Sequence, residues 1–299
     1  MIRRETMDIR QKIIAASTSR GWSAPHAAYI HEADVTDLVL WLSKLNTHTA
    51  SSKITLNTLL VYIIVSGIKS CPAVNAHIHY NKWFASGSVT LLDSIDVNMP
   101  IILSNGKMMT IKLADFGNKK LKEMQDYINH LTKKIKNTDM DAALMKTALY
   151  ETFQLLKKGD VIHPLGRLIG IKLGKNRIKK ISKASYKKYI TMPIEERINI
   201  HDINIGTVTI SNMGAALSNT KGSPALIDVI SPQVFAVGIG PMYDESVVSK
   251  NDDLNIDISV QKKLKFCFAF DHRALDFGDI VPLIKKVDIV CKNPELHIE

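Results

Sequence analysis

Between Asp8 and Ser19 the apolar positions Ile9, Ile13, Ile14 and Ala16 recur at helical spacing, and Gly21 with Pro25 ends the run, which predicts a first helix. His26 to Ala33 predicts a strand. Thr36 is placed to cap a second helix through Asp37 to Leu45, whose face carries Leu38, Leu42 and Leu45. A third helix follows Thr55, burying Leu56, Leu59, Leu60, Ile63, Ile64 and Ile68, and stops at Pro72. Short β-rich runs come next, around Ile78 to Phe84, Val89 to Met99 and Met108 to Leu113. Leu121, Met124, Ile128, Leu131 and Ile135 then repeat at three and four, giving a long amphipathic helix. Strands return at Thr207 to Ser211, Val234 to Val237 and Leu264 to Phe270, and Asp276 to Val290 closes the chain as a helix with Ile280, Leu283, Ile284 and Val287 inward. Helices and strands mix without strict βαβ alternation, so the class is α+β around a mixed or antiparallel sheet. No internal repeat or clear linker is present; residues 1–299 read as one domain with a basic insertion at about 140–200.

Composition narrows the function classes. A chain of 299 residues, 45 % hydrophobic and 23 % charged, buries a substantial core and is neither disordered nor a disulfide miniprotein. The longest apolar stretch, Leu59 to Ile68, is half the length a bilayer span needs, and Arg3, Arg4, Glu5 and Asp8 stand where an export signal requires an uncharged core. A cytoplasmic protein is expected. Cys71, Cys267 and Cys291 lie far apart, which suits reduced thiols and supplies no metal framework. The net charge of +10 is concentrated: Lys157 to Lys188 holds eleven basic residues against one acid, Asp160, and the rest of the chain is balanced at 28 of each sign. Such a segment reads as an element with its own partner. A nucleic-acid partner is disfavoured, since Tyr186 and Tyr189 are the only aromatics in or beside the segment and no binding motif is present.

Two stretches carry chemistry. The apolar run Phe266 to Phe270 ends in Asp271, His272, Arg273 and Asp276, and strand ends are where rigid scaffolds present reactive side chains. His272 and Asp276 form an HxxxD pair. The other reading is an ion-pair network of Asp271, Arg273 and Asp276 around a buried, satisfied histidine. In Thr207 to Gly214 a β-run ends in Ser211, Asn212 and a turn glycine, making Ser211 a candidate donor to a developing oxyanion. A Ser-Asn turn satisfying its own backbone is the alternative. No GxSxG elbow supports a nucleophilic serine.

The chain resembles the catalytic domain of the 2-oxoacid dehydrogenase acyltransferases (dihydrolipoyl acyltransferases), relatives of chloramphenicol acetyltransferase. The resemblance rests on Asp8 to Glu32 with its Ala24-Pro25-His26 and on to Leu38, on Cys71 to Ala76, on Thr207 to Gly214 with Ser231-Pro232-Gln233 and Ala236-Val237-Gly238, and on Asp271 to Asp276. Two positions depart from the family pattern. Phe277 follows Asp276 where DHRxxDG has glycine, and Ala16 stands where a first-helix arginine is usual.

The resemblance implies a chloramphenicol-acetyltransferase-like fold, a mixed sheet flanked by helices, and a homotrimer or multiple of trimers with sites between subunits. It implies coenzyme A or an acyl-CoA as substrate, without metal. His272 is then the general base, Ser211 the oxyanion donor, and Asp276 the holder of the histidine loop, paired with Arg10 as the aligned arginine or with Arg3 or Arg4 in its place; Asn212, Asp271 and Arg273 support them. No lipoyl domain, lipoyl attachment site or subunit-binding module precedes residue 8, so an acidic carrier or lipoyl domain is expected as a separate partner. Residues 157–189 compete between docking that carrier and contacting an anionic membrane. A non-catalytic trimeric core is the alternative function.

Overall fold

The computed structural model describes residues 7–47, 52–103, 106, 108–157, 182–217, 220–250 and 256–298; the side chains of Ile9, Arg10, Arg20, Glu151, Leu155 and Lys250 lie outside the described set. Helices are α1 (Ile9–Gly21), α2 (Thr36–Thr47), α3 (Leu56–Lys69), α4 (Leu121–Asn137), α5 (Met140–Lys157), α6 (Lys183–Thr191), α7 (Ile200–Ile203), α8 (Phe277–Lys292) and α9 (Pro294–His297). Strands are β1 (His26–Asp34), β2 (Ala76–Asn81), β3 (Ser86–Leu91), β4 (Val97–Ile102), β5 (Met108–Leu113), β6 (Val208–Asn212), β7 (Phe235–Lys250) and β8 (Ile256–Asp271). None of the described helices is long and apolar enough to cross a membrane.

The chain divides into two compact units, residues 1–19 with 129–204, and residues 20–128 with 205–299. The larger unit holds a six-stranded mixed sheet in the order β1-β8-β7-β6-β4-β5 and a separate β2-β3 hairpin. β6 runs parallel to both β4 and β7, and the other pairs are antiparallel. The α+β class and mixed sheet expected from the sequence are therefore present. Phe235, Phe266 and Phe268 are fully buried in the sheet, as are Leu59, Leu60, Ile63, Ile64 and Ile68 of α3. Gly67 lets α3 and α8 approach closely, because an added Cβ would sit 3.0 Å from Leu283 Cγ.

Four local expectations are corrected. Thr36 is the first residue of α2 rather than its cap: the Asp34 carboxylate accepts both the Thr36 N–H (3.0 Å) and its hydroxyl proton (2.6 Å), and Thr36 Oγ1 in turn accepts the Lys262 N–H. The run Val89 to Met99 is two strands of different sheets, split at Asp93 and Ser94. β7 and β8 extend well beyond the predicted Val234 to Val237 and Leu264 to Phe270, pairing with each other past a bulge between Ile239 and Met242. Helix α5, with buried Ala142 and Ala143, lies where no element was predicted.

In the smaller unit Tyr189 of α6 is buried against Ala142 and Ala143, its hydroxyl donating to the Ile198 carbonyl at 3.0 Å. The Arg197 guanidinium stacks on its ring, 4.6 Å from the centroid. Lys183, Lys187 and Lys188 face solvent on the remaining surface of α6, so the described end of the basic segment is amphipathic; residues 158–181 lie outside the described residues.

Candidate active site

The strand-end cluster separates into two kinds of group. Asp271, 1 % exposed, receives a forked ion pair from Arg273: Nε donates to Oδ1 at 2.9 Å and Nη2 to Oδ2 at 2.6 Å. The Arg273 N–H also donates to Asp271 Oδ1, and the Ala274 and Leu275 N–H groups donate to the Asp271 carbonyl. This pair holds the Arg273 guanidinium pKa above its ordinary value, through the hydrogen bonds to Asp271. A planar fork on a buried carboxylate fixes the turn that follows β8.

His272 is not the buried histidine of the ion-pair reading. Its side chain is 54 % exposed. The loop is tied down from the backbone, where the His272 N–H donates to the Pro25 carbonyl at 2.9 Å, and the ring packs edge-on to Phe270. His272 Nδ1 lies 3.1 Å from the Leu275 carbonyl oxygen and 3.3 Å from Asp276 Oδ1. A carbonyl oxygen only accepts, so in the neutral ring the proton sits on Nδ1 and the lone pair on Nε2. Asp276 is 84 % exposed at the N-terminus of α8, and its N–H donates to Asp279 Oδ2 at 2.7 Å. The side chain of Arg10, and all of Arg3 and Arg4, lie outside the described residues.

Behind this loop His26 is spent on structure. Its Nδ1 faces the Ala24 carbonyl at 2.8 Å and its Nε2 accepts the Val229 N–H at 2.8 Å. The Ala24-Pro25-His26 segment thus presents the Pro25 carbonyl that anchors His272.

Ser211 ends a buried strand and is itself at the edge of burial, with no hydrogen-bond partner for its hydroxyl among the described residues. Asn212 secures the exit from β6: its Nδ2 donates to Asn57 Oδ1 at 2.9 Å and its Oδ1 accepts the Ala215 N–H. Met213 and Gly214 donate their N–H groups to the Ile239 carbonyl. A side chain at Gly214 would overlap the Gly240 carbonyl, so glycine is required by this close approach. Gln233, fully buried, accepts from the Thr209 hydroxyl at 2.6 Å and donates to the Gly206 carbonyl at 2.8 Å, locking β6 beside β7.

Sheet register keeps the two candidate groups apart within one chain. Ser211 lies across from Gly238, and Gly238 across from Cys267, five residues before His272. At about 3.3 Å per residue this is ~17 Å along the strands, in addition to two strand spacings. Ser211 and His272 therefore mark opposite ends of the sheet. Sequence reasoning missed the Leu275 and Pro25 carbonyls, which act through the backbone and leave no side-chain signal, and gave no role to Gln233 or Asn57.

Residues 2–149 and 172–298 match a family model of acyltransferase catalytic domains. The chain belongs to the 2-oxoacid dehydrogenases acyltransferase (catalytic domain) family. Among solved structures it is similar to a probable dihydrolipoamide acetyltransferase from Listeria monocytogenes 4b F2365, at TM-score 0.64 and 14 % identity over 97 % of this chain and 94 % of that one. The cubic core of a pyruvate dehydrogenase multienzyme complex matches at TM-score 0.65 and 15 % identity, over 99 % and 93 % of the two chains. The Azotobacter vinelandii dihydrolipoamide acetyltransferase (E2p), described for the role of a serine, a histidine and an asparagine in its catalytic mechanism, matches at TM-score 0.65 and 14 % identity over 99 % and 93 %. A comparison with curated protein sequences found no match.

Proposed function

We propose that the chain transfers an acyl group from a thioester, acyl-CoA or carrier-bound, to a thiol, hydroxyl or amine, with His272 as general base. The observation that carries this reading is the half-exposed imidazole whose Nδ1 is engaged by the Leu275 carbonyl, leaving Nε2 as the basic nitrogen. Nε2 takes the acceptor's proton as its heteroatom attacks the thioester carbonyl carbon. The Ser211 hydroxyl donates to the resulting oxyanion. The carbon–sulfur bond then breaks, and the proton on Nε2 passes to the departing thiolate. Asp276 Oδ1, 3.3 Å from Nδ1, faces the positive charge that the ring carries in between. The Azotobacter relative has its named asparagine four positions after its histidine, the offset at which Asp276 stands here.

Ser211 and His272 belong to different ends of the sheet, so the working site is shared between copies in a homotrimer or a multiple of trimers. The cubic core named among the similar structures supports this, since a cube carries threefold axes at its corners. The exposed lysines of α6 support docking of an acidic carrier or lipoyl domain that delivers the thioester.

The test is thiol release by the purified protein with a panel of acyl-CoAs. His272→Ala and Ser211→Ala should each lower turnover by at least ~10²-fold with the melting temperature retained. Turnover near wild type in either variant refutes that residue's role, and its absence in the wild type with every donor favours the non-catalytic core.

A further inference from the structure

The start of α8, which brings Asp276 to the imidazole, is joined to β1 by a pair of rings. The Phe277 ring meets the Tyr29 ring edge to face, with centroids 5.1 Å apart and planes at 62°. Such pairs attract beyond the area they bury. Tyr29 is braced in turn. Its ring stacks on that of His31, two residues on along the same face of β1, at 6.3 Å and 25°. His31 Nε2 donates to Asp288 Oδ1 at 2.7 Å, toward the far end of α8. β1 therefore grips α8 twice, by a ring at Phe277 and by a hydrogen bond at Asp288. Glycine at 277 could make no such contact.

Asp276 depends on that grip. Its side chain is 84 % exposed, and among the described residues His272 is the one basic group beside it. Neither burial nor a second cation fixes the carboxylate, so its place 3.3 Å from Nδ1 is set by the backbone that carries it. That backbone is held before the helix by buried Leu275, on the α3 side by the Cys71 thiol donating to the Asp279 carbonyl, and on the β1 side by Phe277. Phe277 makes no ring contact with His272 among the described residues; it reaches the imidazole through Asp276. Phe277 and Tyr29 are 47 % and 39 % exposed, so the pair lies beside the site and outside the core.

We propose that Phe277 is a positioning residue for the acyl transfer: its ring, clamped on Tyr29, holds Asp276 against Nδ1 of His272. The proposal rests on His272 acting as the base, as in the function proposed above. Without the ring Asp276 turns into solvent and no longer faces the charge that the imidazole carries in mid-reaction. The pair touches no substrate, so the loss falls on kcat and leaves KM in place.

Thiol release and hydrogen exchange of the full chain test it. Alanine is a good helix former, so Phe277→Ala removes the ring without weakening α8 itself. Its kcat should fall about 10-fold, less than the ~10² that a 1 Å misplacement can cost, with KM unchanged and a cooperative melt retained. Tyr29→Ala should do the same from the other side of the contact. Phe277→Tyr and Tyr29→Phe keep the ring and should run at the wild-type rate. In an Asp276→Ala background, Phe277→Ala should cost nothing further, because both act through one group. The Asp276 N–H, which donates to Asp279 Oδ2, should exchange at least about 10-fold faster in Phe277→Ala. With an active wild type, undiminished kcat in Phe277→Ala, or the same loss repeated in the Asp276→Ala background, overturns the positioning role and leaves the proposed function standing. A wild type that turns over no donor overturns the function itself, and unaltered exchange at Asp276 then overturns the clamp as well.

Discussion

Asp271 and Asp276 flank His272 and do opposite work. Asp271 is sealed from water and given wholly to Arg273, whereas Asp276 faces solvent and approaches the imidazole. Arg273→Met would leave a buried carboxylate without its cation and should cost about 3 kcal/mol, read as a lower denaturant midpoint. A second pair of carboxylates ties β1 to its neighbours. The Tyr243 hydroxyl donates to Glu32 Oε2 at 2.7 Å and, with Lys265, holds Glu32 below its ordinary value of 4.5. Burial pushes Asp34 up, but the Thr36 hydroxyl and N–H together with Lys263 bring it below its ordinary value. A carboxylate with a depressed folded-state pKa stabilises the protein above its unfolded pKa and loses that contribution as pH falls through the folded one. Melting temperature should therefore drop below pH 4.5, and Glu32→Gln should make that acid limb shallower; an unchanged limb would show that Glu32 does not contribute to it.

At the scale of elements, what was legible in the sequence is what local periodicity encodes. α3 and α8 show their buried stripes at spacings of three and four, and β6 ends at the Ser211-Asn212-Met213-Gly214 signal, whose glycine the approach to Gly240 demands. The far halves of β7 and β8 were missed because Ile256, Ile258 and Val260 alternate among polar residues with no core behind them. α5 was missed because its buried residues, Ala142, Ala143, Leu144, Thr147 and Thr152, include only one large apolar side chain, too little to register as a hydrophobic stripe. Of the site, His272, Ser211 and the forked Asp271–Arg273 pair could be singled out from residue type and position. The tautomer-setting carbonyl of Leu275 could not, since a backbone oxygen has no residue signature. Basic helix α6 offers its own test: Lys183→Glu/Lys187→Glu/Lys188→Glu should weaken transfer from an acylated lipoyl domain and reduce its salt dependence, while transfer from acyl-CoA stays near wild type. Equal loss with both donors would place α6 at the reaction centre, and binding of the wild type to anionic vesicles, lost on reversal, would assign it to a membrane.

For the whole molecule, the proposed function makes chemistry a property of neighbouring copies rather than of one chain. His272→Ala and Ser211→Ala chains, each inactive alone, should complement when unfolded and reassembled together. In random equimolar trimers a site is intact when its serine comes from one variant and its histidine from the other, so about a quarter of wild-type turnover should return. No recovery in verified mixed assemblies would place both groups in one chain. The three cysteines add a consequence for how such an enzyme lives with its own reaction. Cys71, Cys267 and Cys291 are all buried, and burial pushes each thiol up, Cys291 to about 12. Nucleophilic sulfur requires the thiolate, so burial disfavours each of them as an acceptor of an acyl group or as a partner in disulfide exchange. In the proposed transfer, that leaves the released sulfur without a thiolate of the protein's own to compete with the acceptor.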